Sequence, residues 1–211
     1  MAPAPIPIAR VRWPSAKRII ATRFPSVDIL SQLVDPEDID ALRAIDDRTN
    51  PRLAVPGSSV IMAPFVHVNP NGSRFSDGRF GIFYAAHRLP TALAEVRYHR
   101  ERFLIASHEP PQTLELMLYE AAIAGDFHDI RASANRGWYG AVSYARSQPL
   151  GARLHRAGSS GIVYQSVRDR AGECVAVFRP PLVKRCRPVK PFFAHWDGTR
   201  ITRITTLVPT A

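Results

Sequence analysis

Cysteine is the scarcest residue in this chain of 211: Cys174 and Cys186 stand alone, twelve positions apart. Two thiols cannot complete a zinc ligand set, and they do not make the disulfide framework that staples small secreted domains. They read as buried thiols. Lysine is nearly as rare, confined to Lys17, Lys184 and Lys190, so there is no lysine-rich tail. No apolar run approaches the roughly 20 residues of a membrane-spanning helix, and the lack of a visible signal peptide together with the lack of a disulfide framework predicts a cytoplasmic protein. Glycine-rich phosphate loops are absent as well: the turn after Tyr84 reads "AAHRLPT", matching neither GxGxxG nor GxxxxGK[ST]. No His-Glu-x-x-His run or spaced histidine cluster points to a metal, and no Gly-x-Ser-x-Gly elbow points to a hydrolase serine. These absences exclude the commonest labelled sites without excluding catalysis.

What is present is a folding chain with an excess of arginine. Hydrophobic residues make up 45% and charged residues 22%, which suits one globular domain with a sizeable core and argues against disorder. Residues 1–14, "MAPAPIPIARVRWP", carry four prolines and two arginines and predict a flexible or extended arm, leaving 15–211 as the domain. The net charge of +10 comes almost wholly from arginines spread along the chain, a residue suited to planar, bidentate contacts with phosphate or carboxylate. An anionic ligand, an acidic partner and a merely solvated basic surface all fit that balance.

Residues 35–47, "DPEDIDALRAIDD", offer Asp35 as N-cap, Pro36 at the first helical position and Glu37 and Asp38 in the first turn, so a short helix is expected. "SVIMAPFVHV" is an apolar, β-branched run that predicts a strand, with Pro64 at an edge or bulge. "FGIFYAAH" reads as a buried strand, after which Pro90 and Thr91 open a helix to about Arg102. The alternation of Leu114, Leu116 and Leu118 predicts a half-buried strand, with helix as the alternative. "GAVSYARSQPLGARLHRAG" predicts a helix interrupted by Pro149 and Gly151. "GIVYQSVR" and "CVAVFRP" predict strands around the turn "DRAGE", and Asp197-Gly198 predicts a type I′ hairpin between "FFAHW" and "TRITRITT". Strands outnumber helices and cluster in hairpins, so the fold class is α+β with a mixed or antiparallel sheet.

On the helix from Thr91, Leu93, Val96 and Phe103 share one face, and Ala92, Glu95, Tyr98, His99 and Arg102 share the next at spacings of three and four. Glu95 therefore borders the apolar stripe. Taken alone it is either a surface carboxylate paired with Arg102 or His99, or part of a pocket wall. Arg74 alone reads as a turn or surface residue, and Ser166 as a satisfied strand edge.

Together these windows resemble the RES domain family, named for an arginine, a glutamate and a serine. The family's arginine loop appears as "GSRFSDG", its strand as "GIFYAAH", its helix as "TALAEVRYHRERF" and its late strands as "GIVYQSVR" and "CVAVFRPPLV". "HWDG" and the early "TNPR" resemble the longer, Xre-associated branch, and the matches run from about Arg18 to Arg200. The resemblance implies a fold similar to ADP-ribosyltransferases, with a mixed or antiparallel sheet core and flanking helices. It implies a toxin that cleaves the nicotinamide–ribose bond of NAD⁺ by hydrolysis or phosphorolysis, neutralised by a cognate Xre-like DNA-binding antitoxin.

Carried over residue by residue, Arg74, Glu95 and Ser166 are the catalytic set and Tyr84 is the substrate-binding strand tyrosine. The N-terminal site arginine is Arg18, with Lys17 where the family carries an aromatic residue, or else Arg23. NAD⁺ is the substrate, and the resemblance implies no cofactor, no metal, no membrane and no direct nucleic-acid contact. Departure of nicotinamide leaves positive charge on the ribose, which a carboxylate stabilises more in the transition state than in the ground state. Arg74 then holds pyrophosphate or ribose oxygens, the Tyr84 ring stacks on nicotinamide, and Ser166 bonds a substrate oxygen or the glutamate itself. Transfer of ADP-ribose to a protein and a non-catalytic basic interaction module are the alternatives.

Overall fold

Two long strands carry the architecture, and the alternation of their apolar residues explains why. In β3 (Gln112–Asp129), Leu114, Leu116 and Leu118 are buried while their neighbours face outward or half outward, and β1 (Ile8–Ala21) buries Val11, Trp13 and Ala16. The structure is a computed structural model that describes residues 6–22, 58–132, 137–138 and 140–206. Among these residues the other strands are β2 (Phe83–Ala86), β4 (Gly161–Gln165), β5 (Glu173–Val177), β6 (Val183–Trp196) and β7 (Ile201–Thr205). The helices are α1 (Ser58–Val66), α2 (Leu89–Ala106) and α3 (Ser147–Arg156). The sheet order is β1-β2-β5-β4-β3-β6-β7, with β1 also paired to β3, and every pairing is antiparallel except β3 with β4. The fold is therefore α+β with a mostly antiparallel sheet.

The β1–β3 ladder closes a ring of pairings whose seams are short: Lys17 opposite Ala86, and His128 and Asp129 opposite Ile162 and Val163. Between the long and short strands lies an inner core that includes Trp13, Ile123, Phe127, Phe83, Val163, Val175 and Val177. The opposite faces of β4 and β5 present Ile162, Tyr164, Cys174 and Ala176 to a second cluster with Phe75, Leu150 and Leu154. Burial on both faces accounts for the unbroken apolar runs of these strands. Helix α2 lays Val96 and Leu104 on Leu114, Leu116, Phe192 and Trp196. Both cysteines are buried free thiols.

Four expectations need correction. The supposed arm is a strand from Ile8, because Val11 and Trp13 enter the inner core, and its proline is absorbed by a bulge between Trp13 and Ala16, where Pro14 has no N–H to give the ladder. "SVIMAPFV" is helix α1, with Pro64 inside it. Val60, Ile61 and Phe65 fall on one helical face against the inner core, a placement that a continuous apolar run cannot distinguish from a buried strand. The Asp197-Gly198 hairpin forms, but with a four-residue loop from Asp197 to Arg200. Gly198 takes φ 99° and Asp197 is absent from the positive-φ residues, so a type I′ turn is ruled out. The expected helix at 35–47 lies outside the described residues. No helix among the described residues is long and apolar enough to cross a membrane.

The fourth correction bears on the site. Helix α3 runs unbroken through Pro149 and Gly151, since a proline in the first turn forfeits no intrahelical bond. Gly151 is there for contact: a Cβ would stand 1.9 Å from the Phe75 carbonyl oxygen, so the helix backbone lies directly on the loop that carries Arg74. Gly151→Ala forces that loop away. A loss of about 1–3 kcal/mol in stability is expected, the range for overpacking, measured by denaturant unfolding; an unchanged midpoint would contradict this contact.

Candidate active site

The Arg74 loop is fixed from three directions. Phe75, fully buried, anchors it edge-on against the Tyr164 ring at 5.1 Å between centroids. The Tyr84 hydroxyl from β2 accepts a 3.1 Å hydrogen bond from the Phe75 N–H and shares a 2.9 Å bond with the Ser73 hydroxyl. Gln148 of α3 donates through Nε2 to the carbonyls of Ser73 and Ser76 at 3.1 and 3.2 Å. The arginine so placed is only 6% exposed. Its Nη1 donates to the Gly140 carbonyl at 2.9 Å, its guanidinium lies 5.1 Å from the Tyr144 ring centre, and its buried Nη2 has no partner among the described residues. A buried donor left in that state is satisfied by water or ligand. Burial raises the Tyr84 hydroxyl to about 12, so it remains a neutral hydrogen-bonding group.

Glu95 projects from α2 into the same space. Its Oε1 accepts a 2.6 Å hydrogen bond from Ser166 Oγ, and its Oε2 lies 3.8 Å from His99 Nε2, one helical turn on. Ser166 is buried behind the carboxylate, and its oxygen accepts from the backbone N–H groups of Arg168 and Asp169 at 3.0 and 3.1 Å. Those two bonds leave its single proton for Glu95. The serine therefore orients the glutamate, the second of the two roles open to it.

Arg18 enters from β1. It donates through Nη1 to the Tyr84 carbonyl at 2.9 Å, packs its guanidinium on the Phe83 ring, and leaves a buried Nε without a partner among the described residues. Burial lowers it to about 10, well short of neutralising it at physiological pH. Arg23 lies outside the described residues.

Together these groups wall a cleft of about 630 Å³, within the range of small-molecule sites. Arg18, Arg74, Arg100 and Arg102 face a single lining carboxylate, Glu95, while Lys17 is paired with Glu120. The cleft thus suits an anionic ligand that presents one electron-poor centre to the carboxylate.

The structure brings Arg18, Arg74, Tyr84, Glu95 and Ser166 into one constellation. Two further contributors escape the sequence reading, and a third enters it in another role. Tyr144 and Gln148 lie one turn apart near the start of α3, where only a Tyr-x-x-x-Gln spacing marks them. His99 was placed on the right helical face, but as a salt-bridge partner. Enclosure in the cleft, then the positive charges of Arg74, Arg168, Arg100 and Arg102, push its pKa from 6.5 down to about 4, although about half of its side-chain surface is open. A histidine whose folded pKa lies below its unfolded value makes the unfolded chain bind more protons, so its contribution is lost as pH falls from about 6.5 towards 4. His99→Gln is therefore expected to flatten the acid side of the stability curve. Melting temperatures at pH 7 and pH 4.5 check this: parent and variant falling by equal amounts would contradict it.

The model of the RES domain matches residues 50–197, most of the chain, a span within which Arg74, Glu95 and Ser166 fall. The chain is 30% identical to protein y4oC of Sinorhizobium fredii (strain NBRC 101917 / NGR234) over 204 residues, covering 88% of this chain and 84% of that one. A chain in the crystal structure of the M. tuberculosis MbcT–MbcA toxin–antitoxin complex is similar at a TM-score of 0.46 and 11% identity, over 85% of this chain and 86% of that one. The matched span covers well over half of the sequence, and the chain belongs to the RES domain family.

Proposed function

We propose that this protein is an RES toxin that consumes NAD⁺ by breaking its nicotinamide–ribose bond, with water or phosphate as acceptor, and that a cognate Xre-like DNA-binding antitoxin holds it in check. The observation that carries the reading is one oriented carboxylate in an otherwise cationic cleft: Glu95, fixed by Ser166 at 2.6 Å, among Arg18, Arg74, Arg100 and Arg102. NAD⁺ needs both charges. Its pyrophosphate is anionic and takes the arginines, while its ribose turns cationic as nicotinamide leaves and takes the carboxylate. Tyr84 lines the same cleft and offers a nicotinamide ring an aromatic face.

Membership of the RES family supports the assignment, and the antitoxin follows from the resemblance of "HWDG" and "TNPR" to the Xre-associated branch. Expression of the chain alone in bacteria tests the reading. Growth arrest with a fall in cellular NAD⁺, relieved by co-expression of a cognate Xre-like antitoxin, is expected. Arrest with NAD⁺ unchanged would contradict it.

A further inference from the structure

On the reading that this cleft hydrolyses NAD⁺, we infer that His99 is a further catalytic residue, the base that accepts the proton of the attacking water. The first support is geometry. Nε2 of His99 and Oε2 of Glu95 lie 3.8 Å apart on the cleft wall, and one oxygen atom can lie about 2.8 Å from both, the ordinary hydrogen-bond distance. A water held there touches the base on one side and, on the other, the carboxylate that faces the ribose.

The second support is elimination among the described lining residues. Lys17, Arg18, Arg74, Arg100 and Arg102 are proton donors, burial holds the Tyr164 hydroxyl and the Cys174 thiol protonated, Tyr144 lies with its ring against the Arg74 guanidinium, and Tyr84 has its oxygen engaged by Ser73 and Phe75. Glu95 has one oxygen bound to Ser166 and the other facing the developing ribose cation. His99 remains as the acceptor. The third is protonation state: enclosure and the charges of Arg74, Arg168, Arg100 and Arg102 keep its ring neutral, with Glu95 the one acidic group beside it. Such a base is weak. A cationic ribose is electrophilic enough that a weak base serves, since the O–H bond acidifies as the new C–O bond forms.

The step balances. The bond between ribose C1 and the nicotinamide nitrogen breaks with both electrons going to nitrogen, giving neutral nicotinamide. The water oxygen bonds to C1, and its proton passes to Nε2 of His99 and then to solvent. Phosphate dianion attacks without a proton to remove, so phosphorolysis bypasses His99.

The test is His99→Gln in the full chain, incubated with NAD⁺ with and without inorganic phosphate, with ADP-ribose and phosphorylated ADP-ribose quantified by mass spectrometry. The expected result is a fall of about 10–100-fold in ADP-ribose formation, below the usual general-base effect because the base is weak, with phosphorylated product formed at the parent rate. An unchanged product ratio, an equal fall in both products, or a parent that forms no ADP-ribose overturns the role of His99 while leaving NAD⁺ consumption intact. A parent that leaves NAD⁺ untouched in both buffers overturns the underlying reading itself.

Discussion

On the proposed function, replacing Glu95 by glutamine is expected to lower the NAD⁺ turnover number by about 10²–10⁴-fold while leaving KM within a few-fold of the parent, the loss that follows removal of one preorganised electrostatic group. Glutamine has the glutamate's shape, and its carbonyl oxygen still accepts the 2.6 Å hydrogen bond from Ser166, so the substitution removes charge and little else. The charge matters in the transition state, where positive character has built up on the ribose, and far less in the bound substrate. Steady-state nicotinamide release checks the prediction, with a thermal melt to show that the variant is folded. A turnover number equal to the parent's would remove Glu95 from the chemistry.

Arg74→Lys has the second large effect, and it falls on binding. The parent guanidinium divides its donors: Nη1 is committed to the Gly140 carbonyl, and buried Nη2 has no partner among the described residues. A lysine ammonium is a point charge that cannot span both positions in one plane. Loss of one charge-assisted hydrogen bond to the pyrophosphate costs about 1.5–3 kcal/mol, which is a rise of about 10–150-fold in the KM for NAD⁺. The contrast is informative, because Glu95→Gln moves the turnover number and Arg74→Lys moves KM. Initial rates across a range of NAD⁺ concentrations separate them, and an Arg74→Lys variant with the parent KM would contradict the assignment of Arg74 to the anion.

How far the sequence foretold these groups depends on what kind of information placed each of them. Periodicity was enough for α2, β3, β4 and β5, whose apolar residues repeat at 3.6 or 2 or run unbroken between turns. It failed for α1, where a short apolar run carries no period, and for residues 8–14, where prolines suggested an arm although Val11 and Trp13 alternate into the core. Gly151 looked like a helix breaker because the Phe75 carbonyl that it admits lies 76 positions away in the chain. The same limit hid Gln148 and Tyr144: their partners are the Ser73–Ser76 loop and Arg74, contacts that depend on tertiary packing.

Spacing alone left Glu95 undecided between surface and pocket, since the helical face it shares with His99 and Arg102 is fixed locally while what covers that face is not. Ser166, 71 positions distant, is what turns the glutamate from a rim residue into an oriented one. Arg74, Glu95 and Ser166 were legible as a set through the family resemblance, and Arg18 takes its place from β1 pairing that brings Lys17 opposite Ala86.

In the proposed function, the Glu95 cleft breaks the nicotinamide–ribose bond. Mass spectrometry of NAD⁺ incubated with the purified chain and with Glu95→Gln, in buffers with and without phosphate, tests it most directly. Free nicotinamide with an equal amount of ADP-ribose or its phosphorylated form is expected from the parent, and almost none from the folded variant. Intact NAD⁺ after prolonged incubation with the parent, or equal cleavage by both proteins, would contradict it.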